Sequence, residues 1–259
     1  MKVLLTGSSG QVGRMLSARL PALGFEVREF DRVNGQDVND PAALDTALVD
    51  VEAVVHLAGQ PTEAPWPVIR EANIDGAFSV FEGARRAGIG RVVFASSNHA
   101  VGFTPNCDDE LDAATPPRPD TLYGVSKVFG EALGRYYADR YGMQVACLRI
   151  GSCSEHPRDG RSLATWLSPD DCARLIQACL RSADLTYALI WGVSANRYRW
   201  WSLAAGAEVG YRPLDDAAIT RPDLAVEDRR DIDAVVGGEY TGASYGIDEV
   251  LRASEGDRT

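Results

Sequence analysis

The sequence predicts an α/β fold: a doubly wound, Rossmann-like parallel sheet with a small C-terminal covering region. Three observations carry this. Short, continuously apolar runs alternate with amphipathic stretches through the first 150 residues, as in strands buried on both faces and joined by helical crossovers. The first run leads straight into a glycine-rich turn, Gly7-Ser8-Ser9-Gly10-Gln11-Val12-Gly13. Beyond Gly151 the alternation gives way to irregular sequence.

Taken in order, Lys2 to Thr6 reads as a strand and Val12 to Leu23 as a helix, with apolar Val12, Met15, Leu16 and Leu20 on one face. Val27 to Phe30 is a second strand, Pro41 to Val49 a short helix, and Ala53 to Ala58 (AVVHLA) a buried strand. Pro67 to Ala87 suits one long helix and Val92 to Ala95 a strand; Leu122 to Tyr141 is again helical, and Val145 to Ile150 a strand. In the irregular part, Asp170 to Arg181 reads as helix and Tyr187 to Trp191 as one more strand. The remaining tail is polar, with a charge cluster from Glu227 to Asp231. With no repeat or low-complexity linker, the expected organisation is one structural domain. Residues 1–150 form its dinucleotide-binding core, and residues 151–259 complete the sheet and cover the substrate.

The composition, 45% hydrophobic and 24% charged, is that of an ordinary globular protein. No apolar run approaches the roughly 20 residues that cross a bilayer, and the N-terminus lacks the features of a signal peptide. Cys107, Cys147, Cys153, Cys172 and Cys179 are odd in number and form no CxxC pair. That argues against a disulfide framework or zinc site and for reduced thiols in a cytoplasmic protein. The net charge of -11 disfavours a nucleic-acid surface. An anionic ligand must therefore be held by a few placed cations rather than by the overall field.

A glycine turn between a strand and a helix lets the backbone approach a pyrophosphate, while the helix N-terminus offers free N–H groups and a positive dipole end. The spacing here is GxxGxxG, not GxGxxG, and glycines also serve plain tight turns; the strand–turn–helix position favours a dinucleotide. Asp31 ends the second strand, where a carboxylate would accept hydrogen bonds from ribose hydroxyls and repel a 2′-phosphate, favouring NAD over NADP. Adjacent Arg32 works against that preference, and Asp31 also fits a solvated strand end. Asp37 and Val38 suit the adenine edge. Leu57, Ala58 and Gly59 leave room for the cofactor at the end of the third strand.

Tyr123 and Lys127, in Tyr123-Gly124-Val125-Ser126-Lys127, sit at i and i+4 on one helix face. A tyrosine with its usual pKa of ~10 is a poor base. Lowering it by about three units requires roughly 4 kcal/mol, which a nearby cation supplies in part. Ser96-Ser97-Asn98-His99 follow the fourth strand, at the kind of strand C-terminal end where open α/β sheets place their ligands. Taken singly, a Tyr–Lys pair is more often a surface coincidence, a Ser-Ser pair a turn cap, and His99 an ordinary partly buried imidazole.

Together TGSSGQVG, Ser97 and YGVSK resemble the short-chain dehydrogenase/reductase superfamily in its extended branch. The resemblance implies that Tyr123 is the acid/base, that Lys127 holds the nicotinamide ribose and tunes the phenol, and that Ser97 orients the substrate. It assigns Gly7, Gly10, Gln11, Val12, Gly13, Asp31, Asp37, Val38, Leu57, Ala58, Gly59, Lys127 and Ile150 to NAD.

FASSNHAVGF, RPDTLYGVSKVFGE, LRIGSC, Arg161, TWLS and WGVSAN are similar in turn to uronate dehydrogenases, which oxidise the anomeric carbon of glucuronate or galacturonate with NAD. That resemblance implies an anionic sugar held by Ser97, Asn98, His99, Tyr123, Ser152 and Arg161. Arg161 would meet the carboxylate with its planar fork, with Arg158 as a rival. The sequence departs from the family at HLAGQPTEAPW, where Pro61 replaces a sugar-contacting serine and Gln60 or Thr62 stands nearby. This leaves the preferred uronate open. Asn73 is read as a brace without chemistry. No metal, nucleic acid or membrane is expected as a partner, and homo-oligomerisation stays open. The rivals are an aldose 1-dehydrogenase on neutral sugars, a nucleotide-sugar epimerase or dehydratase (for which residues 151–259 are few), and a non-catalytic dinucleotide sensor.

Overall fold

A computed structural model describes residues 1–106, 109–224, 226–228 and 232–256. Cys107 and the last part of the Glu227–Asp231 cluster lie outside the described residues. Six parallel strands form the sheet in the order β2-β1-β3-β4-β5-β8. They are β1 (Lys2–Thr6), β2 (Glu26–Phe30), β3 (Ala53–His56), β4 (Arg91–Ser97), β5 (Gln144–Ile150) and β8 (Tyr187–Gly192). A separate ribbon pairs β6 (Ser152–Cys153) with β7 (Trp166–Leu167). The helices are α1 (Gln11–Arg19), α2 (Pro41–Ala47), α3 (Trp66–Ile69), α4 (Gly76–Arg86), α5 (Leu122–Tyr141), α6 (Ser162–Thr165), α7 (Pro169–Arg181), α8 (Ala204–Glu208), α9 (Ala217–Thr220) and α10 (Ile247–Gly256).

Period-two side-chain alternation divides the core between the two faces of the sheet. Val3, Leu5, Val55 and Val93 pack with Leu16, Leu175 and Ile176 of α1 and α7. Their neighbours Leu4, Val54 and Val92 pack with Leu44, Phe81 and Tyr137 of α2, α4 and α5. Both faces are therefore dry, as the continuously apolar strands require. From β1 the chain turns to β2 on one side and to β3 on the other, so a topological switch point opens above the C-terminal ends of β1 and β3.

Register builds a step at that opening. Thr6 of β1 faces His56 of β3, and His56 faces Phe94 of β4. β4 then continues for three more residues, pairing Ser97 with Ile150 of β5. Ser96 and Ser97 thus belong to the strand rather than to the loop expected after Ala95.

The predicted helix from Pro67 to Ala87 is interrupted by a π-helical stretch, Arg70–Asp75. Such widened turns re-aim side chains locally. Here Asn73 reaches inward, accepting from the backbone N–H of Gln60 and donating to the hydroxyl of Ser126.

β8 completes the sheet beside β5, and the C-terminal segments close over its end. Trp191 and Trp201 stack at 4.5 Å in a cluster with Trp200, Val101 and Val236. Val235 forms an antiparallel bridge with Pro105, and the backbone N–H of Gly237 donates to the Gly102 carbonyl. The tail also forms α10, which its polar composition did not suggest.

Candidate active site

The floor of the site is the glycine turn. Gly7 has φ +74, and a Cβ there would lie 2.6 Å from the backbone nitrogen of Ala58, so only glycine lets β1 and β3 approach this closely. Gly13 faces the carbonyl of Gly7 with no room for a side chain. The backbone N–H of Ser9 donates to one Asp31 carboxylate oxygen at 2.9 Å and that of Val33 to the other at 3.0 Å. The strand-end carboxylate is therefore docked against the turn. This bare backbone cradle beside a placed carboxylate fits an adenosine pyrophosphate.

Arg32 is engaged. Its Nε lies 2.8 Å from Asp37, and its Nη2 lies 3.2 Å from Glu71. Asp37 and Glu71 thus both pair with the guanidinium that weakened the preference for NAD. The Val38 side chain is buried in the core with Phe30 and Leu44. Val12 likewise packs against core residues. Gln11 donates through Nε2 to the Cys153 carbonyl at 2.6 Å, tying the turn to β6 across the opening. Leu57, Ala58 and Gly59 follow the end of β3, and Ile150 ends β5.

Tyr123 and Lys127 lie on the first turns of α5, whose N-terminus is capped by Thr121 accepting from the N–H of Gly124. The Lys127 ammonium donates to the Ala95 carbonyl at 2.9 Å and lies 5.3 Å from the centre of the Tyr123 ring. Burial holds Lys127 down to about 8. Burial pushes the Tyr123 phenol up to about 12, against a hydrogen bond with Ser97 that pulls the other way. In this site desolvation outweighs the Ser97 hydrogen bond, and a phenolate requires added positive charge. Below the pair, His56 meets the Thr6 hydroxyl at 2.7 Å; burial, then the charge of Lys127, hold its imidazole down to about 3.

On the far side of Tyr123 the substrate candidates converge under the C-terminal segment. Ser97 accepts from the backbone N–H of His99. Asn98 Nδ2 and Arg161 Nη2 both donate to the Val236 carbonyl. Arg161 also pairs with Asp233 at 2.7 Å and lies over the Trp200 ring. Arg158 points elsewhere, toward Gln11 at the glycine turn. Ser152 meets Thr165 at 3.0 Å.

Three residues here were missed by sequence reasoning. Tyr240 stacks on His99 with ring centres 4.4 Å apart. Asp120 meets His99 Nδ1 at 2.8 Å. Glu63 accepts from the Tyr123 backbone N–H through Oε2, while its buried Oε1 has no hydrogen-bond partner among the described residues. Asp120 lay within a motif already singled out. Glu63 likewise lay within HLAGQPTEAPW, and nothing local marked Tyr240.

Beside Ser96, Glu131 of α5 accepts from the Ser96 hydroxyl at 2.6 Å and forms a fully buried pair with Arg149 at 2.8 Å. Arg149 also donates to the carbonyls of Ala113 and Thr115. This network fastens the overhanging end of β4 to α5 and β5, as fully satisfied buried networks do.

Comparisons with known proteins agree with this geometry. The chain is 38% identical to a uronate dehydrogenase of Agrobacterium fabrum, over 85% of this chain and 87% of that one. It is also 38% identical to an NAD-dependent glucose-6-phosphate dehydrogenase of Haloferax volcanii, over 83% and 94%. Among solved structures, a variant of uronate dehydrogenase from Agrobacterium tumefaciens complexed with NAD superposes with a TM-score of 0.83 at 34% identity, covering 95% of this chain and 98% of that one. Residues 3–167 match the NAD dependent epimerase/dehydratase family, and with the glycine turn, Ser97, Tyr123 and Lys127 in one site the chain belongs to that family.

Proposed function

We propose that this protein oxidises the anomeric carbon of a hexuronic acid, D-glucuronate or D-galacturonate, to its aldarolactone with NAD. The observation that carries the reading is the meeting of two halves at one opening: Tyr123, Lys127 and Ser97 on one side, Arg161 under the C-terminal segment on the other. Arg161 already donates through Nη1 to the carboxylate of Asp233, which supports a role in gripping a sugar carboxylate.

Bound NAD supplies the hydride acceptor and a positive charge beside the phenol. Gly7, Gly10, Gln11, Gly13 and Asp31 would hold its adenosine end; Leu57, Ala58, Gly59, Lys127 and Ile150 would line its path toward the reacting carbon. Tyr123 Oη, once ionised, takes the proton of the anomeric hydroxyl. Ser97 Oγ donates to that same oxygen and fixes its position, and Lys127 Nζ supports the phenolate. Asn98, His99 and Ser152 meet the remaining hydroxyls, and Arg161 holds the remote carboxylate so that C1 faces the cofactor. Residues 151–259 act with residues 1–150 as one unit, supplying β8 and the cover. No described helix is long and apolar enough to cross a membrane, and we place the enzyme in the cytoplasm.

The test is NADH absorbance with glucuronate, galacturonate, glucose and glucose 6-phosphate. Uronates should turn over fastest. The Tyr123→Phe variant should bind NAD and lose turnover, and Arg161→Ala should lower kcat/KM for uronates far more than for glucose. Equal turnover of glucose and glucuronate would refute the carboxylate anchor.

A further inference from the structure

We infer that Asp120 is a positioning residue that fixes the tautomer of His99, leaving Nε2 as an acceptor toward a sugar hydroxyl. The inference rests on the sugar-oxidising reading of the site. The His99 ring stands at the centre of the substrate side, stacked on Tyr240 at 4.4 Å and edge-on to Tyr123 at 6.0 Å. Its Nδ1 lies 2.8 Å from Asp120 Oδ2. Nε2 makes no hydrogen bond among the described residues.

The Asp120 side chain is fully buried. Two glycines press on its carboxyl group: Gly102 beside His99, and Gly237 in the segment that covers the site. A Cβ at either would collide with Oδ2, so only glycine at both positions lets the carboxylate pack between the two backbones and face His99 directly. An ionised carboxylate only accepts. The Nδ1 facing it therefore carries the proton, and in the neutral ring Nε2 is a lone pair. A hydroxyl that must donate to Nε2 is one feature by which this site would read a sugar.

Thr121 makes the inference testable. Its hydroxyl accepts from the N–H of Gly124 and donates its single proton to Asp120 Oδ1 at 3.0 Å. In an Asp120→Asn variant that donation keeps the amide oxygen toward Thr121 and turns the amide nitrogen toward His99. The isosteric change thus inverts the tautomer, so that Nε2 carries the proton and confronts the sugar hydroxyl with a donor.

The chain has three histidines, so 15N-histidine NMR at mildly alkaline pH resolves each, with His99 assigned by its loss in His99→Gln. The wild type should show Nδ1–H, and Asp120→Asn should show Nε2–H. The variant should keep its NAD affinity and raise KM for uronate roughly 10- to 100-fold, with a smaller effect on kcat. A wild-type His99 protonated at Nε2 overturns the inference, even if the variant fails to fold. So does a variant whose tautomer switches while KM stays unchanged. A wild type with the stated tautomer but no uronate oxidation would instead bring down the reaction reading and, with it, the role of Nε2 toward the sugar.

Discussion

Lys127 should cost the protein stability near neutral pH, and replacing it with methionine should reveal how much. The side chain is buried, and among the described residues its ammonium donates one hydrogen bond, to the carbonyl of Ala95. Burial lowers it from 10.5 to about 8. Below pH 8 lysine is protonated in both folded and unfolded chains, and the folded state bears the full cost of the buried charge, about 3 kcal/mol. Between pH 8 and 10.5 only the unfolded chain binds the proton, so stability rises with pH; above 10.5 both forms are neutral and the cost is gone.

Methionine preserves the unbranched shape but forfeits the hydrogen bond to Ala95, worth about 1 kcal/mol. Lys127→Met should therefore be more stable than the wild type by about 2 kcal/mol at pH 7. The gain should vanish as pH rises and end as a small loss, while turnover collapses. Urea denaturation at pH 7, 8.5 and 10 measures this directly. A variant less stable at pH 7, or a difference that does not change with pH, would refute the reasoning. The expected outcome is a charge kept for chemistry against stability.

His56 gives a pH dependence of the same sign in a more acidic window. Its folded pKa, about 3, lies below the ordinary 6.5, so stability is unaffected above 6.5 and falls as acid protonates the unfolded chain first. Between pH 6.5 and 5 the wild type should lose about 2 kcal/mol that His56→Gln retains, as read from urea midpoints; equal losses would contradict the buried neutral imidazole. Gly7→Ala places a Cβ at positive φ against the backbone of Ala58, so calorimetry should find NAD bound more than about tenfold weaker. Undiminished affinity would show that the turn does not need glycine.

The ordered parts of the fold were legible because their causes are local. Continuous apolar runs specified β1, β3 and β5. Thr121 before Leu122 and Gly142 after Tyr141 bounded α5, which matches the predicted range residue for residue. The catalytic candidates were legible for the same reason: Tyr123 and Lys127 are one helical turn apart, and Ser97 ends a strand adjacent to their helix. The widened turn at Arg70–Asp75 was not legible, because the hydrogen bonds of Asn73 run to Gln60 and Ser126, outside its own helix.

On its own, then, the sequence determined the sheet, the glycine cradle and the Tyr123–Lys127 pair. Each is built from residues whose geometry is set by neighbours within a few positions. Tertiary structure alone decided what surrounds them: that Asp37 engages Arg32, that Arg161 rather than Arg158 lies beside Asn98, and that Asp120 orients His99. It also decided that Tyr240 and Asp233, from the far end of the chain, close the site. Those contacts join residues far apart in the chain through side-chain packing, and no local periodicity encodes which distant segment fills a given space.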